Sequence, residues 1–297
     1  MKITAVVVTF NRKELLAKCL DSLLTQTIKL DHIIVIDNAS TDGTSELIRN
    51  KYLSDNSTII YKSLPVNNGG SAGFHEGIKE AMEIGSEWIW LMDDDVYAIE
   101  KGLFTILNNK NNSLCLQVGR EYIDGEKESW GGLFDSNTLT VKNSNTLTTV
   151  TVGCFEGMFI HRSIIHKVGL PDKRFFLLGD DTIYGYIVSN YEDIILLKET
   201  ILIKQIKREK KFIFGRNLVH DTPIYAYLYS RNQFLIRENL GKLKKKNITN
   251  YYFALLNSLK AIIVYFLYYR SLKLTKCSII GAYHGITHKF DNHRDYL

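Results

Sequence analysis

The clearest structural signal in the chain is Trp88-Ile89-Trp90-Leu91-Met92-Asp93-Asp94-Asp95, an apolar run that ends in three consecutive aspartates. The run has the length and hydrophobicity of a buried strand. Three like charges at the end of such a strand repel one another unless a cation or a polar ligand offsets the cost. Carboxylate oxygens suit hard divalent ions such as Mg²⁺ or Mn²⁺. An acidic surface turn is the alternative interpretation.

Three strand-like segments precede this run, and helical patterns alternate with them. The strands are predicted at residues 3–9, 32–36 and 57–61, and the first helical segment carries apolar side chains at helical spacing. Such alternation predicts an α/β fold, in which a mostly parallel sheet has helices on both faces. In sheets of this kind, ligands bind beyond the carboxyl ends of the strands.

Polar clusters follow the predicted strands, at residues 9–12, 37–38, 67–73 and 93–95. Their convergence on one crevice favours a ligand site over an acidic turn. Within them, Arg12 can pair with phosphate or stack on a base. The glycine-rich turn 67–73 lacks the Gly-Lys-Ser/Thr sequence of a Walker loop, and the turn after the first strand has no glycine of a dinucleotide fingerprint.

These motifs resemble the family 2 glycosyltransferases with the GT-A fold, and most closely their galactofuranosyltransferase and rhamnosyltransferase branch. The resemblance is carried by residues 6–12, 36–44, 67–74 and 91–96. It implies a Rossmann-like, mostly parallel α/β sheet with flanking helices and a nucleotide-sugar donor, with a UDP-sugar favoured. UDP-galactofuranose is the first choice of donor, and rhamnosyl or galactosyl transfer is the alternative.

The resemblance also implies roles for the residues at the strand ends. Asp93 and Asp95 would lie at the donor and at a Mn²⁺ or Mg²⁺ cofactor, with Asp95 the firmer ligand. Asp94 is expected to point the other way if the strand alternation continues. The residues implied to bind the donor are Thr9, Phe10, Arg12, Asp37, Asn67, Gly70, Gly73, Asp93 and Asp94.

A second apolar run, residues 175–178, is followed by Gly179-Asp180-Asp181. One interpretation is an aspartate that caps the next helix. The resemblance implies another, because inverting sugar transfer needs a base to take the proton of the acceptor hydroxyl. We assign the base to Asp181. Asp180 is the alternative base, and otherwise contacts acceptor or sugar hydroxyls.

Three further candidates lie in the second half of the chain. His220 resembles the family's metal-site histidine, and a compressed Tyr229-Ser230-Arg231-Asn232 motif follows it, although a lone histidine is more often structural. Trp130 is expected on the acceptor side, where an aromatic face can stack on a sugar, although large aromatics are more often core. Glu156 is also assigned to the acceptor, and it would need a partner if buried.

The charge of the chain is unevenly distributed. Residues 1–197 carry 18 Lys and Arg against 26 Asp and Glu, a net of −8, whereas residues 198–297 carry 19 against 6, a net of +13. This basic part fits a solvated helix face, nucleic acid or an anionic membrane surface. Its longest apolar run, 261–269, is far shorter than the ~20 residues that span a bilayer, and its basic flanks suit an interfacial helix.

We therefore expect a catalytic domain at 1–220, with a nucleotide-sugar-binding half (1–100) and an acceptor-binding half (101–220). A basic helical region at 221–297 is expected to dock on this domain, contact a membrane or form a homo-oligomer. Four scattered cysteines and a strand directly after Met1 predict reduced thiols and no signal peptide, hence a cytoplasmic protein, peripheral at the inner face of the membrane.

The expected acceptor is a glycan or a lipid-linked sugar in cell-surface polysaccharide synthesis, and no nucleic-acid partner is expected. Two alternative functions remain. A nucleotidyltransferase would need a basic phosphate loop after the first strand, where only Arg12 is available. A non-catalytic nucleotide-binding or membrane-docking module would use the tail as its working part.

Overall fold

The computed structural model describes residues 1–53, 58–128, 131–143, 147–207, 211–213, 216–218 and 222–291, and the side chains of these apart from 143, 211–213 and 216–218. The strands are β1 (Ile3–Thr9), β2 (His32–Asp37), β3 (Ile59–Ser63), β4 (Trp88–Asp93), β5 (Val96–Ala98), β6 (Cys115–Tyr122), β7 (Lys127–Glu128), β8 (Gly132–Asp135), β9 (Thr140–Asn143), β10 (Thr149–Val150), β11 (Met158–His161), β12 (Ile194–Lys204), β13 (Lys211–Ile213) and β14 (Arg216–Leu218). The helices are α1 (Lys13–Leu24), α2 (Thr44–Leu47), α3 (Gly69–Glu83), α4 (Gly102–Asn109), α5 (Arg162–Val168), α6 (Asp180–Val188), α7 (Pro223–Leu240), α8 (Ile248–Leu267) and α9 (Leu272–Ile286).

The main sheet has ten strands. Eight of them follow the order β10-β12-β6-β11-β4-β1-β2-β3, with β5 beside β12 and β7 beside β6. The neighbours β3, β2, β1 and β4 are parallel, whereas β11 is antiparallel to both β4 and β6. In this register Val8 pairs with Asp93, and Thr9 pairs with Asp37. The predicted mostly parallel α/β sheet is confirmed, and it brings the ends of β1, β2 and β4 side by side.

Both faces of the parallel part are buried. In β1, Ala5 and Val7 belong to one apolar cluster with side chains of α1, whereas Val6 and Val8 belong to a second cluster with side chains of α3. A Cβ added at Gly77 in α3 would come within 2.3 Å of Val6 Cγ1. This close approach of α3 explains why its first turn lies beside the end of β1.

The C-terminal region is helical, as predicted. A Cβ at Gly281 of α9 would lie 2.1 Å from the Tyr227 carbonyl oxygen of α7, so these two helices pack at close range. Among the described residues, one helix, α8, is long and apolar enough to cross a membrane by length and composition, and 39% of its most apolar window is buried. Helix α8 is therefore longer than the apolar run 261–269 from which an interfacial helix was predicted. The predicted domain boundary at 220 falls on residues 219–221, outside the described ranges.

Candidate active site

A cleft of about 710 Å³ opens beyond the ends of β1 and β4. Its other walls come from residues 154–156, which precede β11, and from residues 176–182, which lead into α6. The carboxyl ends of parallel strands meet at one edge of a sheet, so the polar residues that follow them share this cleft. The predicted donor-binding and catalytic residues are therefore expected to line this cleft.

All three residues of the aspartate run line this cleft. Thr9 Oγ1 donates to Asp94 Oδ2 at 2.7 Å, and Arg12 Nη1 lies 3.1 Å from Asp94 Oδ1 and 3.4 Å from Asp95 Oδ2. Burial raises the pKa of Asp94 to about 6, although Arg12 and Thr9 oppose the shift. Asp94 lines the same cleft, but it does not join Asp93 and Asp95 in the group that could hold a metal, and its carboxylate contacts Thr9 and Arg12 instead.

Glu156 joins the aspartates in one acidic cluster. Ligand oxygens of Asp93, Asp95 and Glu156 all lie within 4.8 Å of one another. Burial together with the charges of Glu156 and Asp95 raises the pKa of Asp93 well above its usual range. The structure thus places Glu156 beside the aspartates, whereas the sequence assigned it to the acceptor.

Two cations, the buried Arg120 and the partly buried Lys204, hold the Glu156 carboxylate. Arg120 Nη1 lies 2.7 Å from Glu156 Oε1, and Lys204 Nζ lies 2.7 Å from Glu156 Oε2. Burial alone would raise the pKa of Glu156, but Arg120 and Lys204 outweigh it and hold that pKa at about 2. Glu156 is therefore ionised, and the partner that it was expected to need is present.

The acidic cluster fits a hard divalent cation. Asp93, Asp95 and Glu156 supply only carboxylate oxygens, which are the donors that Mg²⁺ and Mn²⁺ prefer. The predicted third ligand, His220, lies outside the described residues, as does the acceptor candidate Trp130. The described residues that could hold a metal are thus the three carboxylates.

The second acidic pair opens α6 on another wall of the cleft. Asp180 is buried and accepts a hydrogen bond from Ser71 Oγ at 2.6 Å, while Asp181 Oδ1 accepts one from the Thr182 backbone N–H at 2.6 Å. Burial and the neighbouring Asp181 raise the pKa of Asp180 to about 7. Burial also raises the pKa of Asp181. The interpretation of an aspartate cap is wrong, because Gly179 is the N-cap of α6 and no side chain caps the helix; both aspartates face the cleft from its first turn.

The family model for glycosyl transferase family 2 matches residues 4–169, more than half of the chain. The chain belongs to glycosyl transferase family 2. Galactofuranosyltransferase GlfT1 of Mycolicibacterium smegmatis is 30% identical over 192 residues, a match that covers 60% of this chain and 62% of that protein. The chain thus matches about three fifths of the length of this curated relative. The family resemblance of the sequence is confirmed.

Solved structures share the fold at low identity. TarS of S. aureus (residues 1–349) superposes with a TM-score of 0.59 at 15% identity, covering 98% of this chain and 82% of TarS. TarS in complex with UDP gives 0.56 at 14% identity, over 99% and 89%. The mannosyltransferase PcManGT of Pyrobaculum calidifontis, in complex with GDP-Man and Mn²⁺, gives 0.56 at 12% identity, over 97% and 88%. The GT-A fold predicted for this family 2 chain is confirmed.

The predicted donor residues of this family 2 chain separate into two groups. Those that line the cleft are Thr9, Phe10, Arg12, Asn67, Gly70, Asp93 and Asp94. Asp37 instead accepts hydrogen bonds from the Ser40 N–H at 2.8 Å and the Tyr61 hydroxyl at 2.6 Å. A Cβ on Gly73 would lie 2.4 Å from Val8 Cγ1, so this glycine serves the packing of α3 on β1.

The two cations that pair with Glu156 were not predicted from the sequence. Lys204 lies at the end of β12, where it pairs with Val96 directly after the aspartate run. Arg120 lies inside β6, in the strand next to β12. These strand pairings bring both cations to Glu156, and local sequence carries no signal of that convergence.

The Arg-Asn motif of α7 contacts the segment before Asp180. Arg231 is fully buried, and its Nη2 donates to the carbonyls of Arg174 (2.7 Å) and Phe175 (2.8 Å). Asn232 Nδ2 donates to the carbonyls of Leu177 (2.7 Å) and Leu178 (2.8 Å). We call residues 174–178 the strap. Its Phe176 and Leu178 have φ of +66° and +70°, values that non-glycine residues rarely adopt unless the surroundings impose them.

Proposed function

We propose that the protein is an inverting, metal-dependent glycosyltransferase that transfers a sugar from a nucleotide-sugar donor to a glycan or lipid-linked acceptor. The observation that carries this proposal is the presence of two acidic groups with different electrostatics on one cleft. The cluster of Asp93, Asp95 and Glu156 lies in direct contact with cations. Asp180 and Asp181 instead accept hydrogen bonds from neutral groups, and the charge of Arg120 acts on Asp181 without an ion pair between them. The cluster of three carboxylates suits the binding of a metal ion and a diphosphate, and the pair at the start of α6 suits the acceptance of a proton.

The donor side would use the residues at the ends of β1 and β4. Asp93, Asp95 and Glu156 would hold Mn²⁺ or Mg²⁺, which when bound neutralises the charge that develops on the leaving diphosphate. Arg12 can supply a fixed positive charge, because its guanidinium lies at the aspartates and lines the cleft. Phe10 is 40% exposed at the same wall and offers a face on which a base can stack.

The acceptor side would use Asp181 as general base. An acceptor hydroxyl attacks the anomeric carbon, the bond from that carbon to the diphosphate oxygen breaks, and the hydroxyl proton passes to the Asp181 carboxylate. Attack on the face opposite the leaving group inverts the anomeric configuration. Asp181 is more accessible than Asp180, whose Oδ2 is engaged by Ser71. A raised pKa brings either carboxylate closer to the range in which a base is efficient.

The sugar is proposed from similarity. GlfT1, a galactofuranosyltransferase, and TarS, solved with UDP, support UDP-galactofuranose as the first donor to test. Rhamnosyl and galactosyl transfer are the alternatives within the same family. The proposed setting is cell-surface polysaccharide synthesis at the cytoplasmic face of the membrane.

A donor-hydrolysis assay tests the proposal. The purified full chain is incubated with Mn²⁺ and each of UDP-galactofuranose, UDP-galactose and dTDP-rhamnose, and release of the nucleoside diphosphate is measured. Slow release from one donor, lost in EDTA, supports a metal-dependent transferase. Thermal shift with the same donors reports binding separately. Binding without release from any donor would favour a non-catalytic nucleotide-binding module, and full activity in EDTA would overturn the metal assignment.

A further inference from the structure

The two C-terminal helices α8 and α9 expose a row of large apolar side chains. In α8 they recur every three or four residues, as on one face of a helix. In α9 they follow the same spacing, with Lys276 at the one position of the row that is not apolar. They are Tyr252, Leu256, Leu259, Ile263 and Phe266 in α8, and Leu272, Ile279, Tyr283 and Ile286 in α9, and each is between 41% and 75% exposed. We call these nine residues the apolar face.

The opposite sides of both helices are bonded to α7. Asn257 Nδ2 in α8 donates to Gln233 Oε1 of α7 at 3.1 Å, and Ser258 Oγ donates to the Ser230 carbonyl at 3.2 Å. In α9, the Ser278 hydroxyl lies 2.6 Å from that of Ser230. The sides of α8 and α9 that face α7 are thus polar and hydrogen-bonded, and the apolar face points away from α7.

These inward contacts decide how α8 can meet a bilayer. The helix has the length and composition to cross one. Crossing would remove Asn257 and Ser258 from their partners and place their polar groups in hydrocarbon, where an unmet hydrogen bond is costly. A helix that lies in the plane of the interface keeps those bonds and still buries its apolar side.

The charge around the apolar face has one sign. Residues 239–290, which include both helices, contain nine Lys and Arg and no Asp or Glu. The exposed ones that lie on or next to α8 and α9 are Lys260, Arg270, Lys273, Lys276 and Lys289. Lysine and arginine beside an exposed apolar row are the features of helices that bind anionic lipid surfaces. A second copy that docked through this same face would bring the same positive charge and repel.

We propose that the apolar face docks in the plane of an anionic phospholipid bilayer, with its apolar side chains at the boundary between headgroups and acyl chains. The surrounding lysines and arginines then contact the lipid phosphates. This inference goes beyond sugar transfer and does not depend on it, because the face shares no residue with the cleft lining.

Vesicle flotation of the full chain tests the proposal. We expect binding to vesicles of phosphatidylcholine mixed with phosphatidylglycerol, and weak binding to phosphatidylcholine alone. The triple variant Leu259→Asp, Ile263→Asp and Phe266→Asp should reduce binding to the anionic vesicles at least about tenfold, because it places charges in the apolar row. Replacing Lys260, Lys273 and Lys276 by Gln should remove the preference for anionic lipid.

The matched control carries the same change of charge at apolar residues exposed elsewhere. It combines Phe104→Asp, Ile123→Asp and Tyr191→Asp, which are 45%, 68% and 48% exposed. This control should bind vesicles like the wild type, and circular dichroism should show that both triple variants are folded. Equal loss in the two triple variants, or no binding of the wild type to anionic vesicles, would overturn the proposal. A wild-type dimer that becomes monomeric only in the α8 variant, without vesicle binding, would assign the face to self-association instead.

Discussion

The acidic cluster at the end of β4 and the aspartate pair at the start of α6 both follow apolar runs, yet their surroundings differ. Arg12, Arg120 and Lys204 contact the first group, whereas Ser71 and a backbone N–H contact the second. Cations keep Glu156 ionised with a pKa of about 2, while burial raises the pKa of Asp180 to about 7. The same sequence pattern therefore produces two acidic groups with different electrostatics, which we propose bind an ion in one place and accept a proton in the other.

The largest effect is expected at the proton-accepting pair. Asp181→Asn keeps the shape but removes the base, so turnover should fall by about 10²–10⁴-fold while donor affinity stays near the wild-type value. Kinetics with isothermal titration of the donor would measure both. Asp180→Asn serves as the comparison and should retain more activity. The opposite ranking of the two variants would move the base to Asp180.

A substitution in the cluster of Asp93, Asp95 and Glu156 should lower the unfolding free energy of the protein. Glu156→Gln removes the negative charge held between Arg120 and Lys204. Removing one partner of a buried ion pair costs about 3–5 kcal/mol of unfolding free energy. Chemical denaturation would measure the loss. Glu126→Gln breaks the exposed pair with Lys207 and should cost much less, because water and salt screen an exposed ion pair. Equal effects of the two changes would mean that the buried network contributes no more than a surface pair.

Metal-dependent donor binding should depend on Asp95. We expect Asp95→Asn to weaken UDP binding in Mn²⁺ by at least about tenfold, because one carboxylate ligand is lost, and to leave binding in EDTA unchanged. Calorimetry with and without the metal separates the two. The exposed Asp21→Asn is the matched control. A variant that retains wild-type affinity in Mn²⁺ would remove Asp95 from the proposed metal site.

The strap should link α7 to the base. Arg231→Lys keeps a positive charge but not the fork that bonds two strap carbonyls, so kcat should fall about tenfold at unchanged donor KM through misplacement of Asp181. Arg237→Lys on the same helix, which contacts Asn250 instead, should leave kcat unchanged. A fall in stability without a change in kcat would give Arg231 a purely structural role.

The last prediction concerns the pH dependence of stability. The pKa of Asp180 is higher in the folded than in the unfolded chain, so the folded state binds more protons between about pH 4 and about pH 7. Its contribution to stability is therefore fully present below this window and is lost as the pH rises through it. Asp180→Asn should flatten the unfolding free energy across that window. An unchanged slope would show that the Asp180 carboxyl titrates at its ordinary pKa.

Much of the fold and part of the site followed from the sequence. The alternation of strands and helices predicted the sheet, and the polar residues after β1 and β4 predicted one wall of the cleft. The positions of Glu156, Arg120 and Lys204 did not follow, because their contacts join residues 36 and 48 positions apart through strand pairing. The partners of Asp94, Thr9 and Arg12, likewise lie more than 80 positions away in the chain.

Local periodicity and motifs carried in order were enough to predict the family, the sheet and the two aspartate runs at 93–95 and 180–181. The packing of remote segments sets which charges face each run. It moved Glu156 to the aspartates, placed Asp37 and Gly73 away from the cleft lining, and held the strap before Asp181 with Arg231. The physical reason is that burial and distant charges set the behaviour of a carboxylate, and both arise only when remote segments pack together.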